Sequence, residues 1–566
     1  YEEFEKAKTN KRKLQSLIVR ISNLKIFDPA CGSGNFLIIA YKELRKLEIK
    51  IFKQIDILAK QKSFTFSEIR LAQFYGIELD DFAHEVAKLS LWLAEHQMNL
   101  EFFKAFGRTA PSLPLQNGGN IVHGNATRVD WAEVCPKVEG DEIYILGNPP
   151  YQGSGKQNKE QKEDMDFVFL DIKSYKKLDY IACWFYKGAK YIKNIDAKIA
   201  LVTTNSITQG EQVGLLWSHI FKLNLEINFA YQSFKWKNNA KNNAGVSVMI
   251  IGLRNIEKKQ KYIYQNLVKK EVKHINAYII DAGNIIVSAL RNNISMLPPM
   301  IKGSSLTDNG HLTLSETEKD EIININPKYN FFIKKYIGNK DFMNGIYRYV
   351  LWITDKTRDD AYLVPQFKER FEKVAEFRLS SKKKATVKKA KIPYLFDEIK
   401  HKNMDSIVVP QTGSEKRDYL PIGFVDKNTV VSNGLRIIYT QEIWIFSILS
   451  SKIHMIWVKA VAGRMKTDMQ YSNTICYNTF PFPNITQKQK DELTEHTYSV
   501  LDEREKHSEK TLAQLYDPNK MPQGLKKAHH ELDLAVERCY RVKPFGSDEE
   551  RLAYLFGLYE EMVGNE

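Results

Sequence analysis

Between residues 24 and 253, short apolar runs alternate with longer stretches of helical periodicity, and that alternation restricts the chain to few folds. Strand-like runs occupy 24–27, 74–78, 120–123, 143–146, 198–203, 225–231 and 246–253. Helical patterns fall near 34–47, 81–97, 167–193 and 211–221, and residues 1–22 read as a Lys/Glu-rich amphipathic helix. Strands joined through helices pair in parallel. The order therefore predicts an α/β, doubly wound, Rossmann-like sheet, whose ligands bind at the carboxyl ends of the strands. Residues 50–65 and 99–119 stand outside the alternation. The polar, Gly-containing stretch 152–166 predicts a mobile lid beside the carboxyl edge.

The fourth run ends in Asn148-Pro149-Pro150-Tyr151. Asn148 offers a side-chain carbonyl acceptor. Pro149 has a fixed φ and no N–H, and Pro150 biases it toward the extended region. A backbone carbonyl is thus held rigidly beside the Asn amide, and Tyr151 adds a flat face. The set suits a planar ring with an exocyclic amine. At the first strand end, Asp28-Pro29-Ala30-Cys31-Gly32-Ser33-Gly34-Asn35-Phe36 makes a glycine turn into a helix. It lacks the Gly-Lys-Ser/Thr ending of a triphosphate loop and the third glycine of the dinucleotide fingerprint, which favours a ligand without a pyrophosphate. Glu78 ends the second run and can bind two ribose hydroxyls. Asn125 follows the third and can contact an adenine edge. Read singly, Glu78 is equally an acid at a helix N-terminus and Asn125 a turn residue.

Together these motifs resemble class I S-adenosylmethionine-dependent DNA adenine-N6 methyltransferases of the gamma type. More closely, the chain is similar to the MmeI-like (type IIL/IIG) restriction–modification enzymes. The likeness extends through 234–240, 414–421, 463–468, 471–472, 477–481 and 512–518. It implies cofactor contacts from Asp28, Pro29, Ala30, Cys31, Gly32, Gly34, Asn35, Phe36, Glu78, Leu79, Asn125 and Ala126, and catalysis by Asn148, Pro149, Pro150 and Tyr151. Tyr151 stacks on a flipped adenine, with Phe234 or Trp236 at its other face; packing in a core is the plain alternative for both. Asn rather than Ser at 148 points to adenine over cytosine. No metal is implied.

The expected domains are a methyltransferase domain at 1–255, a Lys-rich connector at 256–299, an α+β target-recognition domain at 300–483 and a helical region at 484–566. Double-stranded DNA is the implied partner, in keeping with a net charge of +15. Arg417, Arg436, Arg464, Lys466, Asp468 and Gln470 have groups that read base edges or phosphates. Lys382, Lys383 and Lys384 open a lysine run suited to phosphates or to a solvated face. The five scattered cysteines read as reduced thiols of a cytoplasmic protein. No cofactor-covering segment is recognisable in residues 1–23. No nuclease Pro-Asp…Glu-x-Lys cluster is present, since Asp397-Glu398-Ile399-Lys400 is an isolated fragment. Both features precede the methyltransferase core in the family. The chain, beginning at Tyr1, therefore reads as truncated, with an upstream nuclease segment or a separate restriction subunit expected. A protein-glutamine or RNA methyltransferase, and a DNA-binding specificity module without transfer, are the rival readings.

Overall fold

The computed structural model describes residues 1–61, 65–109, 119–235, 247–266, 268–465 and 468–564. It divides into two compact units, Tyr1–Ile286 and Val287–Glu566.

The first unit is built on one sheet. Its strands are β1 (Lys25–Asp28), β2 (Phe74–Glu78), β3 (Asn120–His123), β4 (Ile143–Gly147), β5 (Ala197–Thr204), β6 (Leu225–Lys235), β7 (Ser247–Asn255), β8 (Lys261–Gln265) and β9 (Val268–Val272). They lie in the order β3-β2-β1-β4-β5-β7-β6-β8-β9. β3 to β5 run parallel, whereas β7 is antiparallel to both β5 and β6. The chain winds outward from β1 through β2 and β3, then returns to place β4 on the other side of β1. That reversal opens a crevice at the carboxyl ends of β1 and β4. The predicted α/β class is the fold observed.

Helices α1 (Glu2–Ala7), α2 (Lys11–Asn23), α3 (Asn35–Ala59), α4 (Asp81–Phe106), α5 (Trp131–Val134), α6 (Lys159–Val168), α7 (Ala182–Ile192) and α8 (Glu211–Phe221) accompany the sheet. α3 buries Leu37, Tyr41, Ile51, Phe52 and Ile55 at helical spacing. It also buries the pair Arg45–Glu48, whose Nε–Oε2 distance is 3.2 Å. Glu48 accepts from the Glu68 and Ile69 amides, which ties down the return to β2.

Several expectations differ from the structure. Residues 50–59 and 99–106 continue α3 and α4; α4 stops only at Gly107, in the left-handed conformation. The expected lid is half helix, because Asn158 and Gln161 form a capping box that starts α6. Part of the Lys-rich connector forms β8 and β9 at the sheet edge.

The second unit mixes small sheets with helices. Met300–Lys302, Leu435–Tyr439, Ser406–Pro410 and Gly423–Val425 form one antiparallel sheet. Thr412–Ser414, Asp468–Gln470 and Gly463–Met465 form another. The helices Gln487–Glu505, Gln523–Tyr540 and Asp548–Gly564 follow. Among the described residues, no helix is long and apolar enough to cross a membrane.

Candidate active site

β1 delivers Asp28 to the crevice, where it is buried. Its Oδ1 accepts from the Ala30 amide at 3.0 Å, and its Oδ2 has no partner among the described residues. Burial pushes the carboxyl up to about 7; the Ala30 amide opposes this and Glu78 adds to it. β4 passes close beside Asp28, and Gly147 leaves room for the carboxylate. A Cβ there would stand 2.5 Å from Asp28 Oδ1.

The glycine turn is fixed from three sides. The Cys31 amide donates to the Ile77 carbonyl at 3.1 Å, and the Gly32 amide donates to Glu78 Oε2 at 2.7 Å. Trp184 Nε1 of α7 donates to the Pro29 carbonyl at 3.0 Å. Gly32 and Gly34 have φ of +54° and +86°, a region that side chains oppose, and Gly34 opens α3. A Cβ on Gly32 would meet nothing, so open space lies over the turn. Burial pushes the Cys31 thiol up, which keeps it from acting as a thiolate.

Glu78 holds the turn and α4 together, since its Oε1 also accepts from the Asp80 amide at 2.9 Å. Each carboxylate oxygen retains a further lone pair for a hydroxyl. Leu79, 65% exposed beside it, offers an uncommitted apolar face. An open glycine turn, a strand-end carboxylate and an apolar flank fit the adenosine portion of a nucleoside cofactor.

Asn125 commits its side chain to the loop after β3 and to α6. Its Oδ1 accepts from the Thr127 amide and hydroxyl, and its Nδ2 donates to Asp164 Oδ2 at 3.0 Å. Asp164, on α6, also accepts from Arg128 Nε at 2.7 Å and from the Tyr180 hydroxyl at 2.6 Å. Burial raises the Asp164 carboxyl, but these donors together hold it below the usual carboxylate range. Lys187 Nζ donates to the Thr127 and Val129 carbonyls from α7, and burial lowers it to about 8. Asp164, Trp184 and Gly147 hold these segments together and are absent from the sequence reading. Asp164 lies in a polar stretch with no periodic signal.

β4 ends at Gly147, so Asn148 is the first residue beyond the strand. Asn148 Oδ1 is buried and has no partner among the described residues. Pro149 is buried, Pro150 exposed and Tyr151 half-buried. Burial raises the Tyr151 phenol, with the Asn148 amide opposing. An unpartnered buried carbonyl is unfavourable unless a ligand supplies the donor. Phe234 lies near the end of β6, partly exposed, beyond an irregularity in the β6–β7 pairing. Trp236 and Lys466 lie outside the described residues.

The second unit separates the expected DNA-reading groups. Arg436 is buried, with NH1 donating to the Asn433 carbonyl at 3.2 Å. Arg464 pairs with Glu415 and donates to the Lys459 carbonyl. Gln470 bonds to Thr412 across their strand pair. Asp468 and Lys382, Lys383 and Lys384 are exposed. Arg417 is half-buried, and its guanidinium makes no hydrogen bond or ion pair among the described residues.

Known proteins share this architecture. A model of the MmeI DNA-methyltransferase domain matches residues 4–265, one of the MmeI target recognition domain matches 281–484 and one of the MmeI C-terminal domain matches 485–565. DNA methyltransferase A of Bacillus subtilis (strain 168) is 48% identical over 553 residues, or 97% of this chain. The chain spans 63% of that relative's length. The type II restriction enzyme and methyltransferase RM.Eco57I of Escherichia coli is 27% identical over 199 residues, 31% of this chain and 19% of that protein. The solved structure of the type IIL restriction–modification enzyme MmeI in complex with DNA matches with a TM-score of 0.90 at 37% identity, over 99% of this chain and 76% of that one. With matches in sequence order from residue 4 to 565 and one fold shared over nearly the whole length, the chain belongs to the MmeI-like DNA methyltransferase family.

Proposed function

We propose that the chain transfers a methyl group from S-adenosylmethionine to the exocyclic N6 of an adenine flipped out of duplex DNA, at a specific site, within a restriction–modification system. The observation that carries this reading is Asn148 Oδ1, a buried carbonyl without a donor among the described residues, at the switch point between β1 and β4. The relatives' names support DNA as substrate.

The target nitrogen is a weak nucleophile because its lone pair is conjugated with the ring. Asn148 Oδ1 and the Pro149 carbonyl accept its two hydrogens, favour a pyramidal nitrogen and stabilise the positive charge that develops there. This is electrostatic preorganisation, and alignment of the nitrogen with the methyl carbon is the other large contribution. S-adenosylmethionine, when bound, supplies that carbon on a sulfonium. Glu78, Leu79 and the turn around Gly32 hold its nucleoside end. The base must leave the duplex to reach Asn148, at a few kcal/mol; stacking on Tyr151 and Phe234 offsets part of this.

Asn148→Ala should lower transfer of labelled methyl to duplex DNA by about 10²–10³-fold, the usual scale for one preorganised hydrogen-bonding group. DNA affinity by fluorescence anisotropy should stay within about threefold. Transfer at the unaltered rate would remove Asn148 from the mechanism.

A further inference from the structure

Arg436 and Arg464 each spend guanidinium N–H groups on protein partners, with Nε left over. Arg417 is the one of the three whose guanidinium makes no hydrogen bond or ion pair among the described residues. It lines a cleft of about 250 Å³ with Asn339, Lys340, Asn344, Ser414 and Asp468. Asn339 and Lys340 also line an adjoining cleft of about 520 Å³. Asn339 Oδ1 is buried without a partner among the described residues. The cleft therefore presents one rigid fork of donors and one orphaned acceptor. Burial disfavours the Arg417 charge, with Asp517 and Asp468 opposing.

We propose that this cleft reads the major-groove edge of one G·C base pair, with Arg417 donating to O6 and N7 of guanine and Asn339 Oδ1 accepting from the N4 amine of cytosine. This rests on the reading of the chain as a DNA-site-specific enzyme. A G·C pair is the base pair that offers two adjacent acceptors on the purine beside an amine donor on the pyrimidine. Lys340, exposed at the junction of the two clefts, adds positive charge suited to a phosphate, which positions the duplex without reading its sequence.

The test is selection of bound duplexes from a random-sequence library, with S-adenosylhomocysteine present, followed by sequencing. It compares the unaltered chain with Arg417→Lys and Asn339→Ala. Lysine keeps the charge but loses the fork. Arg417→Lys should relax one G·C position of the consensus by about 10- to 100-fold in discrimination. Asn339→Ala should relax the same position. A full consensus retained by both variants, with affinity changed equally for all sequences, would show a contact that reads no base and overturn the proposal. An unaltered chain that selects no consensus would overturn it as well. Transfer is assayed separately on the selected duplexes. Failure there with the consensus intact would sink the methyltransferase reading and leave the cleft standing.

Discussion

Asp28 and Gly147 meet at the carboxyl ends of β1 and β4, and the contact couples the glycine turn to the strand that ends at Asn148. The folded Asp28 carboxyl is raised to about 7, so its contribution to stability is fully present below the unfolded value and is lost as pH rises through about 7. At 1.36 kcal/mol per pH unit over roughly three units, the loss is at most ~4 kcal/mol. Asn at this position can still accept from the Ala30 amide but does not titrate. Asp28→Asn should therefore gain stability relative to the unaltered chain between pH 5 and pH 8, measured by urea unfolding at each pH. A stability difference that stays constant with pH would contradict the raised carboxyl.

Among the elements, α6 shows what sequence pattern misses. The polar stretch after Tyr151 predicts a mobile lid, yet Asp164 on α6 joins Asn125, Arg128 and Tyr180. It thereby fixes the loop after β3 against α6. Asp164→Asn should raise KM for S-adenosylmethionine about tenfold, on the scale of about 1.4 kcal/mol for a charge-assisted bond. kcat should stay within about threefold, and so should DNA affinity. A fall in kcat at unchanged KM would place Asp164 in the chemistry instead. Strands and glycine turns were legible because apolar runs and φ requirements are local. The bounds Phe74–Glu78 and Asn120–His123 fell where the runs predict them. The α4 extension was not legible, because its exposed face carries Leu100 and Phe103 and so hides the usual amphipathic signal. The partners of Asp164 are set by tertiary contact. So is the difference between Arg417 and Arg464, since Arg464 finds Glu415 49 residues away.

At the scale of the whole molecule, the excess of 83 Lys+Arg over 68 Asp+Glu favours a polyanion over a small neutral partner. If Lys382, Lys383 and Lys384 contact phosphates, replacing all three with Ala should weaken binding to every duplex alike. The slope of log affinity against log salt should then fall by about 0.9 per lost contact. An unchanged slope would make the run a solvated surface. Several terminal motifs have structural work within the second unit. Tyr419 stacks on His529 at 4.2 Å and donates to Asp533, while Arg504 donates to the Ile422 carbonyl and the Tyr516 hydroxyl. These contacts fasten the terminal helices to the segment between Ser414 and Gly423, where one of those motifs lies. The most direct measurement is to map the modified bases after incubating the chain with labelled S-adenosylmethionine and mixed-sequence duplex DNA. N6-methyladenine confined to one short sequence motif is the predicted result. Label on cytosine, on adenines in every context, or only on protein or RNA would contradict the proposed function.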